Sequence, residues 1–299
     1  MRSSLSLQVQ NTLLNIARAS EGLTGAQSRL STGKRILKAS DDVPGTNRSL
    51  TLRSAISTTD QLANNILVSL PLLKTSDAAL GNVTDIIKRV QVIATGASSE
   101  TQNTDLTQLD SLMEDLADIA NTRYMDQYIF SGTATNKPTV TAQAGPPPFA
   151  YTGDAGVRKT QVLSGVSIPT NMPGETIFNF DGSAGVGTTD MFTMISDLRD
   201  MIQSGDYTAA HAELANIKGN LDNALNCRSR IGSWEQRMSR AQDILTDTKT
   251  RMQQLLSDVE DADLPEAVIQ LKTQENVYQA ALSVSSRMLD LSLASLNYS

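Results

Sequence analysis

The most constraining feature of this chain is a heptad pattern at its N-terminus. Apolar and small residues recur at alternating steps of four and three from residue 5 to residue 30, which predicts the a/d seam of a coiled coil. The seam consists of Leu5, Val9, Thr12, Ile16, Ala19, Leu23, Ala26 and Leu30. Its small members bury little apolar surface, and an isolated helix of this length is marginal in water. The sequence therefore predicts a helix that needs a partner.

Turn-forming residues separate this helix from a second one. Gly33 is predicted to end the first helix, because glycine readily adopts the left-handed conformation found just past a helix C-terminus. Ser40 and Asp41 carry side chains that can accept hydrogen bonds from the first amides of a new helix, and Pro44 suits its first turn. The sequence therefore predicts a short connection between two helices.

A longer heptad pattern runs from Leu52 to Ala94 and predicts a second helix of more than forty residues. Pro71 interrupts this run. Because proline cannot donate the helical hydrogen bond, we expect a kink or a break near Leu70. A third helix is predicted from about Asp105 to Gln127, with its large apolar residues on one face.

The composition changes between residues 131 and 190, where Gly, Pro and Thr dominate. Breakers such as Gly145-Pro146-Pro147-Pro148 separate short β-prone pieces. The predicted strands are Phe149–Thr152, Arg158–Leu163, Val166–Pro169 and Thr176–Phe180. We therefore expect a small β domain over residues 136–189, inserted into an otherwise helical protein.

The helical pattern returns after this insert. It predicts a helix from Met191 that stops at Gly205, a long helix over residues 210–259 and a final helix from Leu264 to Tyr298. The final helix has a wide apolar band and few charges, as is typical of helices buried on several sides. The two chain ends cannot bury each other so completely, so we expect them to form an assembly interface with neighbouring subunits. Besides Leu5, Val9, Ile16, Leu23 and Leu30, this interface is predicted to contain Leu271, Tyr278, Leu282, Leu289 and Leu296.

Together these patterns predict a mainly α fold. We expect an elongated antiparallel helical bundle or coiled coil built from the N- and C-terminal halves, with the small inserted β domain between them. Residues 1–40 and 264–299 are predicted to form an inner coiled-coil assembly domain. Residues 41–135 and 190–263 are predicted to form a helical bundle domain, and residues 136–189 the β domain.

Composition excludes several classes of protein. The formal net charge is −7 and no basic run exceeds Lys34-Arg35, so a nucleic-acid-binding surface is not expected. Aromatic residues make up only 4% of the chain, with one tryptophan, Trp234, which favours long thin bundles over a thick globular core. A single cysteine, Cys227, excludes an internal disulfide framework. No apolar run reaches the ~18 residues of a membrane span, and the N-terminus lacks the apolar region of a cleaved signal.

The sequence gives little support for a catalytic site. Lys34 follows a glycine, but a P-loop needs another glycine five residues before that one, where Ser28 stands. Asp41-Asp42 is better explained by helix capping than by a metal, and His211 is interpreted as a solvated side chain. One histidine and one cysteine cannot build a Ser/His/Asp or Cys/His site. We therefore expect no enzyme activity, no cofactor and no metal.

Several motifs resemble the flagellin superfamily. The segment Leu30-Ser31-Thr32-Gly33-Lys34-Arg35-Ile36, followed by Ala39-Ser40-Asp41-Asp42, is very similar to the N-terminal motif of that family. The resemblance covers roughly the first 135 and the last 110 residues. The inserted β segment matches the family only in its position and composition.

Two branches of the superfamily compete, the filament flagellins and the hook–filament junction (hook-associated) proteins. Tyr128-Ile129-Phe130-Ser131-Gly132-Thr133 looks like a signature of the junction branch, and flagellins usually carry an Asn-Gly pair in this region. The C-terminal segment from Tyr278-Gln279-Ala280-Ala281-Leu282 onward also resembles the junction branch, and the flagellin-type Phe-Gln-Ile-Gly stretch is missing. The junction branch is therefore favoured, with filament flagellin as the alternative.

The resemblance implies a structural role in the bacterial flagellum. The terminal helices would line an axial channel, and the β domain would project outward. The implied partners are further copies of the chain in a ring, flagellin, the proximal hook-associated junction protein and a cytosolic export chaperone that holds the C-terminal helix. The resemblance also implies export through the flagellar type III apparatus without cleavage, an extracellular location, and neither nucleic-acid binding nor membrane insertion.

Overall fold

The computed structural model describes residues 2–145, 148–182 and 189–297, and within these the side chains of residues 2–6, 8, 9 and 289–297 are not described. The chain forms two compact units. The terminal unit comprises Met1–Thr58 and Thr248–Ser299, and the central unit comprises Thr59–Asp247. The mainly α prediction is confirmed, whereas the predicted division into three domains stays a prediction.

Helices make up most of both units. In chain order they are α1 (Arg2–Thr32), α2 (Val43–Gly96), α3 (Gln102–Ala120), α4 (Gly174–Ile177), α5 (Met191–Ser204), α6 (Tyr207–Ala212), α7 (Leu214–Glu260) and α8 (Leu264–Asn297). Long helices are found where the sequence shows heptad spacing, because an unbroken apolar seam lets each turn bury its face in the same direction.

The strands lie in the central unit and pair as three separate antiparallel hairpins. They are β1 (Arg123–Tyr124), β2 (Gln127–Tyr128), β3 (Val140–Ala142), β4 (Phe149–Tyr151), β5 (Lys159–Leu163) and β6 (Val166–Pro169). β1 pairs with β2, β3 with β4 and β5 with β6. The predicted strands at residues 149–152, 158–163 and 166–169 are confirmed.

Two sequence predictions in this region are wrong. The third helix ends at Ala120 rather than near Gln127, because the Asn121 side chain bonds the backbone at the start of β3. Its Oδ1 accepts from the amides of Thr139 and Val140 at 2.8 and 3.1 Å. The predicted strand at Thr176–Phe180 is instead the single helical turn α4, which the Gly174 amide anchors by donating to the Phe130 carbonyl at 2.7 Å.

A kink or a break was predicted near Leu70. The break is absent, since α2 continues through Pro71, whereas the kink stays a prediction. Ile66 and Leu73, on either side of the proline, are both fully buried. Each buried aliphatic side chain contributes about 1.5–3 kcal/mol. Burial on both sides therefore offsets the loss of one helical hydrogen bond, which costs about 3 kcal/mol.

Side chains of the insert share one core with the helices of the central unit. Phe178 and Phe130 pack edge to face with centroids 5.9 Å apart, and Phe192 of α5 lies 5.8 Å from Phe178 and 5.0 Å from Phe149. Val162 and Ile168 of the β5–β6 hairpin are buried in the same core. The insert therefore takes part in the packing of the central unit.

Candidate assembly interface

The predicted interface is built on α1 and α8, which pack against each other and which we call the terminal pair. The helices run antiparallel, because Thr12 Oγ1 donates to Met288 Sδ at 3.6 Å near one end and the Ala262 amide donates to the Gly33 carbonyl at 2.8 Å near the other. Between these points the helices approach closely at Gly22, where an added Cβ would lie 2.8 Å from Gln274 Oε1. The pairing predicted from the two apolar seams is therefore present.

The seam of the terminal pair buries mostly small residues. Ala19, Ala26 and Ser285 are exposed by only 8, 6 and 6%. Of the predicted interface residues, the structure half-buries Ile16, Leu23, Leu30, Leu271 and Tyr278. Leu282 is 43% exposed. The side chains of Leu5, Val9, Leu289 and Leu296 lie outside the described residues.

Large apolar side chains remain uncovered on both helices of the terminal pair. On α1, Leu7, Leu13 and Leu14 are 61, 61 and 54% exposed. Among the described side chains of α8, the exposed large apolar residues are Leu264, Val268, Ile269, Val277, Leu282, Val284 and Met288. Many exposed large apolar side chains on one pair of helices indicate a site of association. The terminal pair therefore presents apolar surface that its own seam does not cover.

A cluster of charged and polar groups joins α7 to α2 and to the turn after α1. Its centre is Glu260, the last residue of α7, whose side chain is 4% exposed. Arg53 binds both carboxylate oxygens, with Nε 2.8 Å from Oε1 and Nη2 2.7 Å from Oε2. Ser49 Oγ and Lys34 Nζ donate to the same carboxylate. We call these four residues the Glu260 cluster.

The cluster is reinforced by the backbone and by electrostatics. The Arg35 amide donates to the Glu260 carbonyl at 2.6 Å, and Lys34 forms a β-bridge with Asp261. Hydrogen bonding from Arg53, supported by Lys34 and Ser49, lowers the pKa of Glu260 from 4.5 to about 2 despite its burial. The carboxylate therefore stays ionised in the folded chain and fixes the start of α8 relative to α1 and α2.

The sequence patterns did not predict the Glu260 cluster, although the sequence contains one signal for it. A carboxylate at the C-terminus of a helix faces the negative end of the helix dipole, which is unfavourable. Glu260 occupies this position, so a cationic partner is expected. The sequence alone does not show which cation, because Lys34 and Arg53 lie 226 and 207 residues away along the chain.

The two adjacent aspartates have separate roles. The Asp42 side chain caps the start of α2 by accepting from the Gly45 amide at 2.9 Å, whereas Asp41 accepts from the Leu37 and Lys38 amides and closes the preceding turn. These backbone hydrogen bonds lower the pKa of both carboxyls. The prediction that Ser40 or Asp41 caps α2 is therefore wrong by one or two positions, because the turn rotates Asp41 back toward residues 37 and 38.

The remaining candidate residues do not converge. His211 is exposed in α6, and Cys227 is buried in α7, where burial raises the pKa of its thiol to about 11. Within residues 2–145, 148–182 and 189–297, no three His, Cys, Asp or Glu side chains are grouped so that they could hold a metal. Over those same residues, no helix is long and apolar enough to cross a membrane.

Two family models match this chain. The bacterial flagellin N-terminal helical region matches residues 4–135, and the bacterial flagellin C-terminal helical region matches residues 214–298. The two matches contain α1–α3 and α7–α8 and leave out the whole β insert, residues 136–189. The matched helices include both members of the terminal pair.

Individual relatives extend over nearly the whole chain. Flagellar hook-associated protein 3 of Escherichia coli is 24% identical over 99% of this chain and 100% of its own length. A flagellin of Listeria innocua is 26% identical over 95% of this chain and 93% of its own length.

Solved structures show the same fold. FlgL of Bacillus cereus superposes with a TM-score of 0.59 at 20% identity, covering 69% of this chain and 99% of that one. The flagellar junction protein FlgL of Legionella pneumophila superposes with a TM-score of 0.59 at 14% identity, covering 71% of this chain and 99% of that one. From the two family models, which together span both helical ends of the sequence, the chain belongs to the bacterial flagellin family.

Proposed function

We propose that this chain is a structural subunit of the bacterial flagellum that joins the hook to the filament, as the distal hook–filament junction protein. The observation that carries the proposal is the exposed apolar surface of the terminal pair, with Leu13 and Ile269 61 and 66% exposed. Such a surface gains stability only when neighbouring molecules cover it. A structural subunit in a multi-chain assembly meets that requirement.

Similarity to known relatives supports the role of junction protein over that of filament subunit. Hook-associated protein 3 of Escherichia coli aligns over its entire length with 99% of this chain. The alternative is a filament subunit, and the similarity to the Listeria innocua flagellin favours it. The junction-like segment Tyr128-Ile129-Phe130-Ser131-Gly132-Thr133 supports the first choice.

The proposed partners follow from the junction role. Further copies of the chain would form a ring, with the proximal hook-associated junction protein on one side and flagellin on the other. A cytosolic chaperone would hold α8 before export through the flagellar type III apparatus, and the mature subunit would be extracellular. We propose no catalytic activity, no cofactor, no nucleic-acid partner and no membrane insertion.

Immunogold labelling of intact flagella tests this proposal. The junction role predicts one spot at the boundary between hook and filament, and few copies of the chain relative to flagellin in sheared flagella. A strain lacking the chain should release flagellin into the medium, because nothing seats the filament on the hook. Label along the whole filament would contradict the junction role and favour the filament alternative.

A substitution in α8 tests the interface itself. Leu282→Asp places a charge on a 43% exposed apolar position, which the free chain tolerates but which an assembled interface excludes. We expect the variant to be exported normally and to fail in restoring motility to the null strain. Ser283→Asp, at the neighbouring exposed polar position, is the matched control and should restore motility. Normal swimming with Leu282→Asp would contradict this role of α8.

A further inference from the structure

The β1–β2 hairpin has an unusual tip, formed by Met125 and Asp126. The pairing of Tyr124 with Gln127 leaves only these two residues in the turn, and both have positive φ angles, of 46° and 63°. Turns of this type favour Asn-Gly or Asp-Gly, since L residues with larger side chains rarely adopt positive φ. A methionine at the first position is therefore unexpected on conformational grounds.

The methionine gains no packing within the chain that would explain its position. Met125 is 78% exposed, and the Asp126 side chain is 99% exposed. Arg123 stabilises the turn. Its guanidinium lies 5.0 Å from the centre of the Tyr128 ring and donates to the Asp126 carbonyl at 3.0 Å. The hairpin therefore presents a flexible apolar side chain next to a carboxylate on a fixed support.

A groove on the same unit has the complementary character. It lies between α2 and α3 and has a volume of about 500 Å³. Ile93 and Leu112 line it as buried residues, and Val92 beside them is 72% exposed. We call it the α2–α3 groove. It is wide enough for an inserted methionine side chain and offers apolar contacts to it.

Charge at the groove matches the tip. Lys88 and Arg89 line one side of the groove. Lys88 pairs with Asp85 at 3.4 Å, whereas Arg89 forms no ion pair within the described residues. Asp115, from α3, also lines the groove. At the tip, Arg123 and Asp126 form an exposed ion pair with each other at 3.5 Å, and such a pair is worth little in water. The groove offers Arg89 for Asp126 and Asp115 for Arg123, so docking exchanges this exposed pair for two pairs across the contact.

The tip does not fill the groove of its own chain. The hairpin follows the end of α3 at Ala120, five residues beyond Asp115, which lines the groove. At 1.5 Å per residue this part of the helix is about 7.5 Å long. The exposure of both Met125 and Val92 agrees with an empty groove and an unoccupied tip in the single chain.

We propose that the β1–β2 tip of one copy docks into the α2–α3 groove of a second copy, so that subunits join head to tail. Met125 enters between Val92, Ile93 and Leu112, and Asp126 pairs with Arg89. A head-to-tail contact uses two different surfaces and closes into a ring when the rotation between subunits allows it. The inference rests on the proposed junction role, which brings copies of the chain side by side.

Cysteine cross-linking in flagella tests this contact. Met125→Cys and Val92→Cys are placed together in the full chain in a null strain, and intact flagella are oxidised and run on a non-reducing gel. We expect a ladder of multimers from the double variant. Neither single variant should give one, because the native cysteine, Cys227, is buried and does not offer a second reactive thiol. Monomers alone from a double variant seen at the junction by immunogold, or cross-links to another flagellar protein, would overturn the second copy as the occupant. Immunogold label along the filament would contradict the junction role. The cross-linking result would then still decide whether the tip of one copy contacts the groove of another.

A charge exchange gives an answer even if the cysteine variant is not exported. Asp126→Arg alone and Arg89→Asp alone each place like charges at the contact, and each should lower the number of filaments per cell about tenfold. The combination restores an opposite pair and should recover most of that loss. Asp118→Arg, exposed on α3 outside the groove, is the control and should have no effect. A combined variant no better than the worse single variant would overturn the proposal.

Discussion

The two units of this chain bury very different material. In the central unit, Phe130, Phe178 and Phe192 are fully buried and in ring contact. In the terminal pair, the most buried apolar residues among the described side chains of α1 are the alanines Ala19 and Ala26. The central unit therefore has a core of its own, whereas the terminal pair leaves large apolar side chains exposed.

The difference has a simple energetic basis. Burial contributes about 0.8 kcal/mol per methylene-sized group and about 1.5–3 kcal/mol for a whole leucine or phenylalanine side chain. A seam of alanine and serine gains little against the entropy of ordering a helix. Exposed residues such as Leu13 and Ile269 make no such contribution in the single chain. The Glu260 cluster supplies a polar anchor in the terminal unit, where apolar burial is small.

Removing the β insert should have the largest effect. If the central unit kept its stability without the insert, the contrast between the two units would be wrong. The sequence alone predicts that residues 137–189 can be replaced by a Gly/Ser linker with most helical circular dichroism retained. Because Val162, Ile168 and Phe178 are buried in the shared core, we now expect the central unit to lose cooperative unfolding. Denaturant unfolding followed by circular dichroism measures this. Val157→Ala, at a 45% exposed position of the insert, is the control and should change little.

Phe192→Ala should destabilise the central unit by about 3–5 kcal/mol, because it leaves a cavity beside three aromatic rings. Urea unfolding followed by circular dichroism measures the change in both variants, and the fluorescence of Trp234, which packs against the central core, reports on the central unit. The matched substitution in the terminal unit is Leu13→Ala, at a 61% exposed position, which should shift stability by less than about 0.5 kcal/mol. Equal losses from the two variants would refute the contrast between the units.

Glu260→Gln should weaken the terminal unit by about 2–3 kcal/mol, because it leaves Arg53 and Lys34 without their buried carboxylate. Hydrogen exchange over residues 30–55 and 250–270 measures local opening. Glu275→Gln is the control, since the Lys272–Glu275 pair is exposed and worth little. Unchanged protection in Glu260→Gln would show that apolar packing alone holds the terminal unit.

The same group predicts a pH dependence. The folded chain lowers the pKa of Glu260 from 4.5 to about 2, so its stabilisation is fully present above pH about 4.5 and is lost as the pH falls through about 2. Exchange protection in the terminal unit should therefore decline over this acidic range in the native chain. The decline should be smaller in Glu260→Gln, which has no carboxyl to protonate there.

The smallest expected effect concerns the hairpin tip. It sharpens the comparison between the units, because this strained turn lies in the well-packed central unit. Replacing Met125 by Asn and Asp126 by Gly should stabilise the central unit by about 1 kcal/mol, since these residues suit positive φ. The melting temperature should rise by about 2–4 °C. Gly165→Ala, at a φ of 75°, should lower it by a similar amount. No rise in the double variant would mean that the tip is not strained.

Local signals in the sequence determined several elements correctly. α5 begins after Asp190, whose side chain accepts from the Phe192 and Thr193 amides, and ends at Gly205 with a φ of 77°. The β5–β6 hairpin follows two β-prone pieces joined by a short turn. In each case the interactions that decide the structure lie within a few residues, so the sequence shows both partners at once.

Only the tertiary structure decided the features whose partners are far apart in the chain. α3 ends where Asn121 meets the backbone of residues 139 and 140, and α4 forms where the Gly174 amide meets the Phe130 carbonyl. Glu260 meets Lys34 across 226 residues. The heptads determined that α1 and α8 would need partners, because their apolar seams are visible in the sequence. Which side chains that pairing leaves exposed depends on the close approach of the two helices, and a linear pattern does not contain that geometry.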